Sequence, residues 1–415
     1  MTPLARLISF IAAMLLALAL GLAPQRFSTQ LLTPNWMPQQ IVQLIETSND
    51  VQVALMADQL DAEHPDIALI LITDETLKDL PYTSPIDREL LAKLVTATAN
   101  LAPRAIALDF LFDRATEAAK DARLIETLQA LSVPVVLGAA DQRFAMADRN
   151  RAWQQDFLQR AGRPVGYLNL QYDAQEASGD AIIRYRAAPA SDERYRLSFA
   201  GQIAQVAHAT PITGERPTSR SATNDLESPN RRIASRRIAW LAEPVSGETF
   251  LTVDADAVLA AAADPAGVLA IALSAQLADR IVLIGGDFPG RDRHPTPITA
   301  LAGGDMLGLN VHAHSVAGLL DGRELHDFAT LPTQIVVGIL AALGWLIANL
   351  SYSRQRTFAW IMSLATAAIV ALGLVSLYTL REVIPLALFV AVFLGTALVT
   401  RVALNLTRQF LLSRQ

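Results

Sequence analysis

The chain contains no cysteine, which excludes a disulfide framework, a thiolate nucleophile and any cysteine-based metal site. Other signatures of catalysis are missing too. No HExxH pair, P-loop or Gly-x-Ser-x-Gly elbow occurs. Gly285-Gly286-Asp287-Phe288-Pro289-Gly290 lacks the glycine spacing of a dinucleotide fingerprint. Histidines number six, four of them between His294 and His326. On a helix His312 and His314 would point in different directions, which favours packing roles over a zinc site or a pH switch. A net charge of −6 gives no basis for nucleic-acid binding. No cofactor, metal or nucleic-acid partner is expected.

Long apolar runs, in contrast, are plentiful. With 52% hydrophobic residues and a mean hydropathy of +0.30, the chain is more apolar than an ordinary soluble protein of its size. Residues 1–23 read as an N-terminal transmembrane helix, and residues 331–350, 357–380 and 383–404 as three more. Gly21-Leu22-Ala23 has the small residues of a signal-peptide cleavage site, but Pro24 disfavours cleavage and a retained anchor is expected. Inside the runs Trp345, Asn349 and Tyr378 are the conspicuous polar or amphipathic residues. Their positions near run ends suggest interfacial anchoring.

Arginines set the expected orientation. Arg354 and Arg356 lie between the second and third runs, and Arg401, Arg408 and Arg414 follow the fourth, whereas the remaining link carries Arg381 beside Glu382. By the positive-inside rule both termini face the cytoplasm, residues 405–415 form a short cytoplasmic tail, and the large central block is extracytoplasmic. In a bacterium this means a multi-pass inner-membrane protein with a periplasmic or extracellular domain. The lipid bilayer is its first partner.

Residues 24–62 read as a juxtamembrane helix and linker, and residues 63–330 as an α/β domain. Ile67–Ile72, Ala105–Leu108 and Val135–Gly138 are continuous apolar runs of strand length, as expected for strands buried on both faces. Helical periods run from Asp87 to Thr98 and from Ala118 to Leu131 between them. This alternation predicts a parallel or mixed β-sheet flanked by helices. Weaker strand patterns cover 167–170, 182–186, 238–241 and 249–253, a helix is expected over 197–208, and Ile281–Ile284 closes the domain as a last strand. Residues 211–237, rich in Ser, Thr, Pro, Asn and charge, read as a disordered insertion.

Ligands of open parallel sheets bind beyond the carboxyl ends of the strands. Asp74, Asp109 with Asp113, and Asp287 stand at three such ends, and Gly285 and Gly286 would allow close backbone approach to a ligand. These six residues are the candidate site for a cation or polar ligand. Strand-end aspartates also cap helices and turns, and that plainer reading stays open.

The segments IALILITDETL, SPIDRELLAKLV, AIALDFLF, VPVVLGAA, DRIVLIGGDFPGRDRHPTP and MLGLNVHAHSVAGLLDGREL resemble a CHASE2 domain. Asp109, the IVLIGG strand, Thr296-Pro297 and the spacing of Gly308, His312 and Ala313 carry the likeness best. Pro85 and Arg88 match the family as well, with Ile86 where members often carry an aromatic residue. The resemblance implies an extracytoplasmic sensory domain preceded by one membrane helix and followed by three, and implies a homodimer. In such receptors a kinase or cyclase follows the last helix. Here the sequence stops soon after it, so the expectation is a sensory input module without catalysis, coupled to a separate cytoplasmic output protein. An alternative is a structural or assembly subunit of an envelope complex, and a third is an extracytoplasmic metal-dependent enzyme. The ligand, small molecule or protein, is not specified by the sequence.

Overall fold

The computed structural model describes residues 3–21, 39–172, 182–186, 195, 197–209, 237–245, 247–323 and 325–413. The chain divides into an α/β unit, residues 57–324, and a helical unit, residues 1–56 with 325–415. The unit boundaries thus fall at 56/57 and 324/325 where hydropathy placed them at 62/63 and 330/331. The expected insertion over 211–237 lies, apart from Arg237, outside the described residues, as do residues 22–38 of the expected juxtamembrane segment.

In chain order the elements begin with α1 (Pro3–Gly21), α2 (Gln39–Leu55), β1 (Asp58–Gln59), β2 (Ile67–Thr73), α3 (Asp74–Leu77), α4 (Arg88–Ala99) and β3 (Ala105–Leu108). There follow α5 (Ala118–Ala130), β4 (Val135–Ala139), α6 (Asp148–Ala161), β5 (Val165–Tyr167), β6 (Leu170–Tyr172), β7 (Ile183–Arg186) and α7 (Phe199–Ala209). Next come β8 (Leu241–Ala242), β9 (Leu251–Asp254), α8 (Ala255–Ala263), α9 (Val268–Leu277), β10 (Ile281–Asp287), β11 (Arg293–His294) and α10 (Pro297–Ala302). The last are β12 (Met306–Leu307), α11 (Gly308–Leu320), β13 (His326–Asp327), α12 (Thr330–Leu350), α13 (Gln355–Leu380), β14 (Glu382–Val383) and α14 (Leu386–Leu412).

Six strands form one sheet in the order β5-β4-β3-β10-β2-β9. Each neighbouring pair is parallel. Because side chains alternate along a strand, one sequence supplies two cores. Ile70, Ile72, Ile106, Leu108, Leu137 and Ile284 meet Leu91 and Leu94 of α4, Leu124 and Leu128 of α5, Phe157 of α6 and Leu273 of α9. Ile67, Leu69, Ala107, Val136, Ile281 and Leu283 face the other way, onto Phe199 and Ile203 of α7 and Leu309, Ala313 and Val316 of α11. Covering on both faces is why these strands read as unbroken apolar runs. The strand read as closing the domain lies at its centre: β10 inserts between β2 and β3, and its buried Ile281–Ile284 stretch is the reason a central place suits it. The pattern read over 167–170 divides into β5, at the sheet edge, and β6, which pairs antiparallel with β7.

In the helical unit, α12, α13 and α14 are long and apolar enough to cross a bilayer. Close packing is explicit at Gly344 of α12, where a Cβ would lie 2.6 Å from the Phe393 carbonyl oxygen of α14. Helix α1 packs on the same pair: Trp345 Nε1 donates to Ser9 Oγ at 3.1 Å, and the Trp345 and Phe10 rings meet edge-on at 5.3 Å. Trp345 is therefore also a packing residue within the unit. The last helix starts directly after Pro385 and runs to Leu412, through most of the segment read as a tail. Asn405, Thr407 and Arg408 end the apolar stripe without ending the helix, because helix propagation does not require apolar residues.

Candidate ligand site at the carboxyl edge of the sheet

Strand register places the expected residues along one edge. Asp287 pairs with Thr73, the residue before Asp74, and the Asp109 backbone N–H donates to the Ile284 carbonyl at 2.9 Å. Their side chains have different fates. Asp74 is exposed in the first turn of α3, whose amino end is capped by the reciprocal Thr73 and Thr76 pair. Asp287 is paired with Arg293. Room at the two glycines is taken by protein: a Cβ on Gly285 would sit 3.0 Å from the Leu309 side chain, and one on Gly286 would sit 2.4 Å from the Phe288 ring.

Asp109 belongs to a polar cluster that the sequence did not announce. Burial, with added repulsion from Asp292, pushes its carboxyl well above the usual range. Asp292 stands in a left-handed backbone conformation at φ 51° and accepts a hydrogen bond from His294 Nε2 at 2.9 Å. Burial raises Asp292, but the bond and charge from His294 outweigh it and hold this carboxyl low. Gly308, first residue of α11, lies against it: a Cβ there would meet Asp292 Oδ2 at 2.3 Å. One turn on, His312 is buried beside the Phe199 ring at 5.3 Å, and burial lowers its pKa to about 4. The Gly308 and His312 spacing thus positions one helix end over one carboxylate. His314 points elsewhere: its Nδ1 accepts from the Leu241 N–H at 3.2 Å, and its ring meets Trp240 and Phe250.

Beside this cluster lies a second constellation, around Arg88. Its guanidinium is 1% exposed, sits 4.8 Å from the Phe112 ring centre and donates through Nη1 to the Ile86 carbonyl at 3.2 Å. Phe112 in turn stacks on Phe157 at 4.5 Å. An aromatic partner for Arg88 therefore exists, supplied by the segment after β3 instead of position 86. Asp121 forms a 3.6 Å ion pair with Arg88 and accepts from the Thr116 N–H and hydroxyl at 2.9 Å each. Arg88 Nη2 is buried with no hydrogen-bond partner.

Asp113, next after Phe112, holds Arg114 through two hydrogen bonds of 3.0 and 2.8 Å. Together with Ala115, and with Arg149, Asn150 and Trp153 from the start of α6, they line a cavity of about 310 Å³. The pocket is open to solvent; Arg149 and Asn150 offer donors there, and the Asp113 and Arg114 pair offers both signs of charge. Of the expected residues, the structure brings Asp113 to an open pocket and Asp109 to a partly buried polar cluster. Among the described residues no group of His, Asp and Glu is spaced to hold a metal ion.

These features define a membrane-anchored protein with a parallel α/β domain. The model of the CHASE2 domain matches residues 15–351, most of the chain, and the protein belongs to this family, whose domains are sensory and extracellular. No curated protein and no solved structure matches it.

Proposed function

We propose that this protein is a membrane-anchored sensory input module. Its α/β unit faces away from the cytoplasm, binds a small polar ligand or a partner over the carboxyl edge of the sheet, and passes the signal to a separate cytoplasmic output protein, without catalysis of its own. Membership of the CHASE2 family is the observation that carries this reading. Two structural facts support it: an open pocket with charged residues in its lining at the sheet edge where α/β domains bind ligands, and the packing of α1 on α12 and α14. In the proposed mechanism α1 serves as a fourth span, and ligand binding biases its packing against these helices between two arrangements. Gly344 and Trp345 lie at the contacts that would shift.

The absence of cysteine makes orientation directly measurable. Arg149→Cys and Ser353→Cys, made singly, place one thiol in each unit. An impermeant maleimide added to intact cells should label the first and spare the second; labelling of Ser353→Cys alone would contradict the proposed placement. Crosslinking of the intact protein in its native membrane, followed by mass spectrometry, tests the output step. Recovery of a cytoplasmic kinase, cyclase or regulator is expected, and recovery of envelope proteins alone would favour a structural role.

A further inference from the structure

The helical unit has two chemically different ends. At one, His326-Asp327 pairs with Glu382-Val383, so acidic and basic groups are mixed, with Arg381 adjacent. At the other, Arg401 Nη2 and the Ser351 carbonyl hydrogen-bond at 2.6 Å, and Tyr352 Oη donates to Asn405 Oδ1 at 2.6 Å. These bonds bring Arg354, Arg356, Arg401 and Arg408 to the same end. No Asp or Glu occurs from Phe328 to Leu380 or from Val383 to Gln415, so this end has no carboxylate from its own helices.

Arg401 is already engaged, since it also stacks on Phe358 at 3.7 Å. Arg354 and Arg356 are exposed and make no ion pair among the described residues. With Gln355, Thr357 and Ala359 they form an open, shallow depression at the start of α13. Directly beyond it, α13 presents an apolar flank: Trp360 is 77% exposed and Leu364 74%. A tryptophan one turn past a pair of arginines marks the level of a membrane interface, and the exposed leucine lies at the depth of acyl chains.

We propose that this open depression binds the phosphate of an anionic phospholipid, with Arg354 and Arg356 as its charge partners and the flank of α13 as the surface for its chains. A soluble phosphate shares the headgroup chemistry but has nothing to lay on Trp360 and Leu364. That difference is why the lipid is the occupant proposed.

Native mass spectrometry of the full chain, released from micelles holding equal amounts of phosphatidylglycerol and phosphatidylcholine, tests this. The wild type should retain phosphatidylglycerol in preference, and Arg354→Gln with Arg356→Gln should reduce the preference about 30-fold. Arg381→Gln at the opposite end should leave it unchanged, and Arg354→Lys with Arg356→Lys should keep most of it. Equal retention of the two lipids by wild type, or an undiminished preference in the glutamine pair, would overturn the proposal. Loss in the lysine pair as well would trace the effect to a disturbed helix end and also overturn it. Displacement of the lipid by millimolar inorganic phosphate, bound in its place, would assign the site to a soluble anion instead.

Discussion

At the amino ends of the central strands, Arg104 donates to Asp66 at 2.9 Å and to Asp279 at 3.2 Å, while Arg280 donates to Glu63 at 2.9 Å and to the His64 carbonyl at 3.1 Å. These bonds tie β2, β3 and β10 together where they enter the sheet. The carboxyl ends of the same strands differ: the Asp109 carboxyl is pushed well above its usual range, Asp292 is held at a positive φ, Arg88 keeps an unpartnered nitrogen, and an open pocket lies beside Asp113. One edge satisfies its charges with each other, and the other retains unused polar capacity. Under the proposed function, stability and recognition would fall to opposite ends of one set of strands, a division that lets a site carry strain while the scaffold stays fixed.

Breaking the carboxyl edge should have the larger effects. Arg88→Ala leaves Asp121 buried without its cation and removes the cover of Phe112, so a loss of about 3–5 kcal/mol is expected for a buried pair broken on one side. Thermal unfolding of the detergent-solubilised chain, followed by tryptophan fluorescence, measures it. Next comes pH. His312 has a folded pKa of about 4 against 6.5 when unfolded, so its contribution is present above about 6.5 and is lost as pH falls toward 4, on the order of 3 kcal/mol in all. His314, lowered to about 3 by burial, acts in the same direction.

Asp109 acts oppositely. Its folded pKa is raised, so its unfolded form releases a proton first and the folded state loses stability as pH rises above about 4. Melting curves between pH 4 and 7 should therefore show a rise in stability with pH that His312→Gln flattens and Asp109→Asn steepens. A profile that neither variant changes would remove both groups from the account.

A smaller loss, about 1–3 kcal/mol, is expected for Gly308→Ala, whose methyl group would collide with the Asp292 carboxylate. Adding Asp292→Gly to it should restore most of the loss by clearing the contact. At the amino edge Arg104→Ala should cost only about 1 kcal/mol or less, because its partners Asp66 and Asp279 are 38% and 83% exposed and water screens them. A loss as large as that of Arg88→Ala would reverse the comparison.

Much of the scaffold was legible because burial on both faces leaves a plain trace: Ile67–Ile72 and Ala105–Leu108 could hardly be anything but covered strands. The central place of β10 was not, since a parallel strand carries no local sign of its neighbours. The site was legible only in part. Asp109 stood at its predicted strand end, but Asp292 came from a loop crowded with charges, and only Gly308, set where a side chain could not fit, signalled it. Phe112 was missed as the partner of Arg88 because the contact joins separate segments. Gly285 and Gly286 show the converse: their openness in sequence reflects the close packing of Leu309 and Phe288.

The proposed function requires the carboxyl edge to be the recognising face. Its most direct test is the thermal shift of the full chain against a panel of small carboxylates, amino acids, sugars and phosphate esters, compared among wild type, Arg149→Gln with Asn150→Ala, and Arg104→Ala. A compound that stabilises wild type should also stabilise Arg104→Ala and fail with the Arg149→Gln, Asn150→Ala variant. Stabilisation that survives in the cavity variant, or disappears in Arg104→Ala alone, would contradict it.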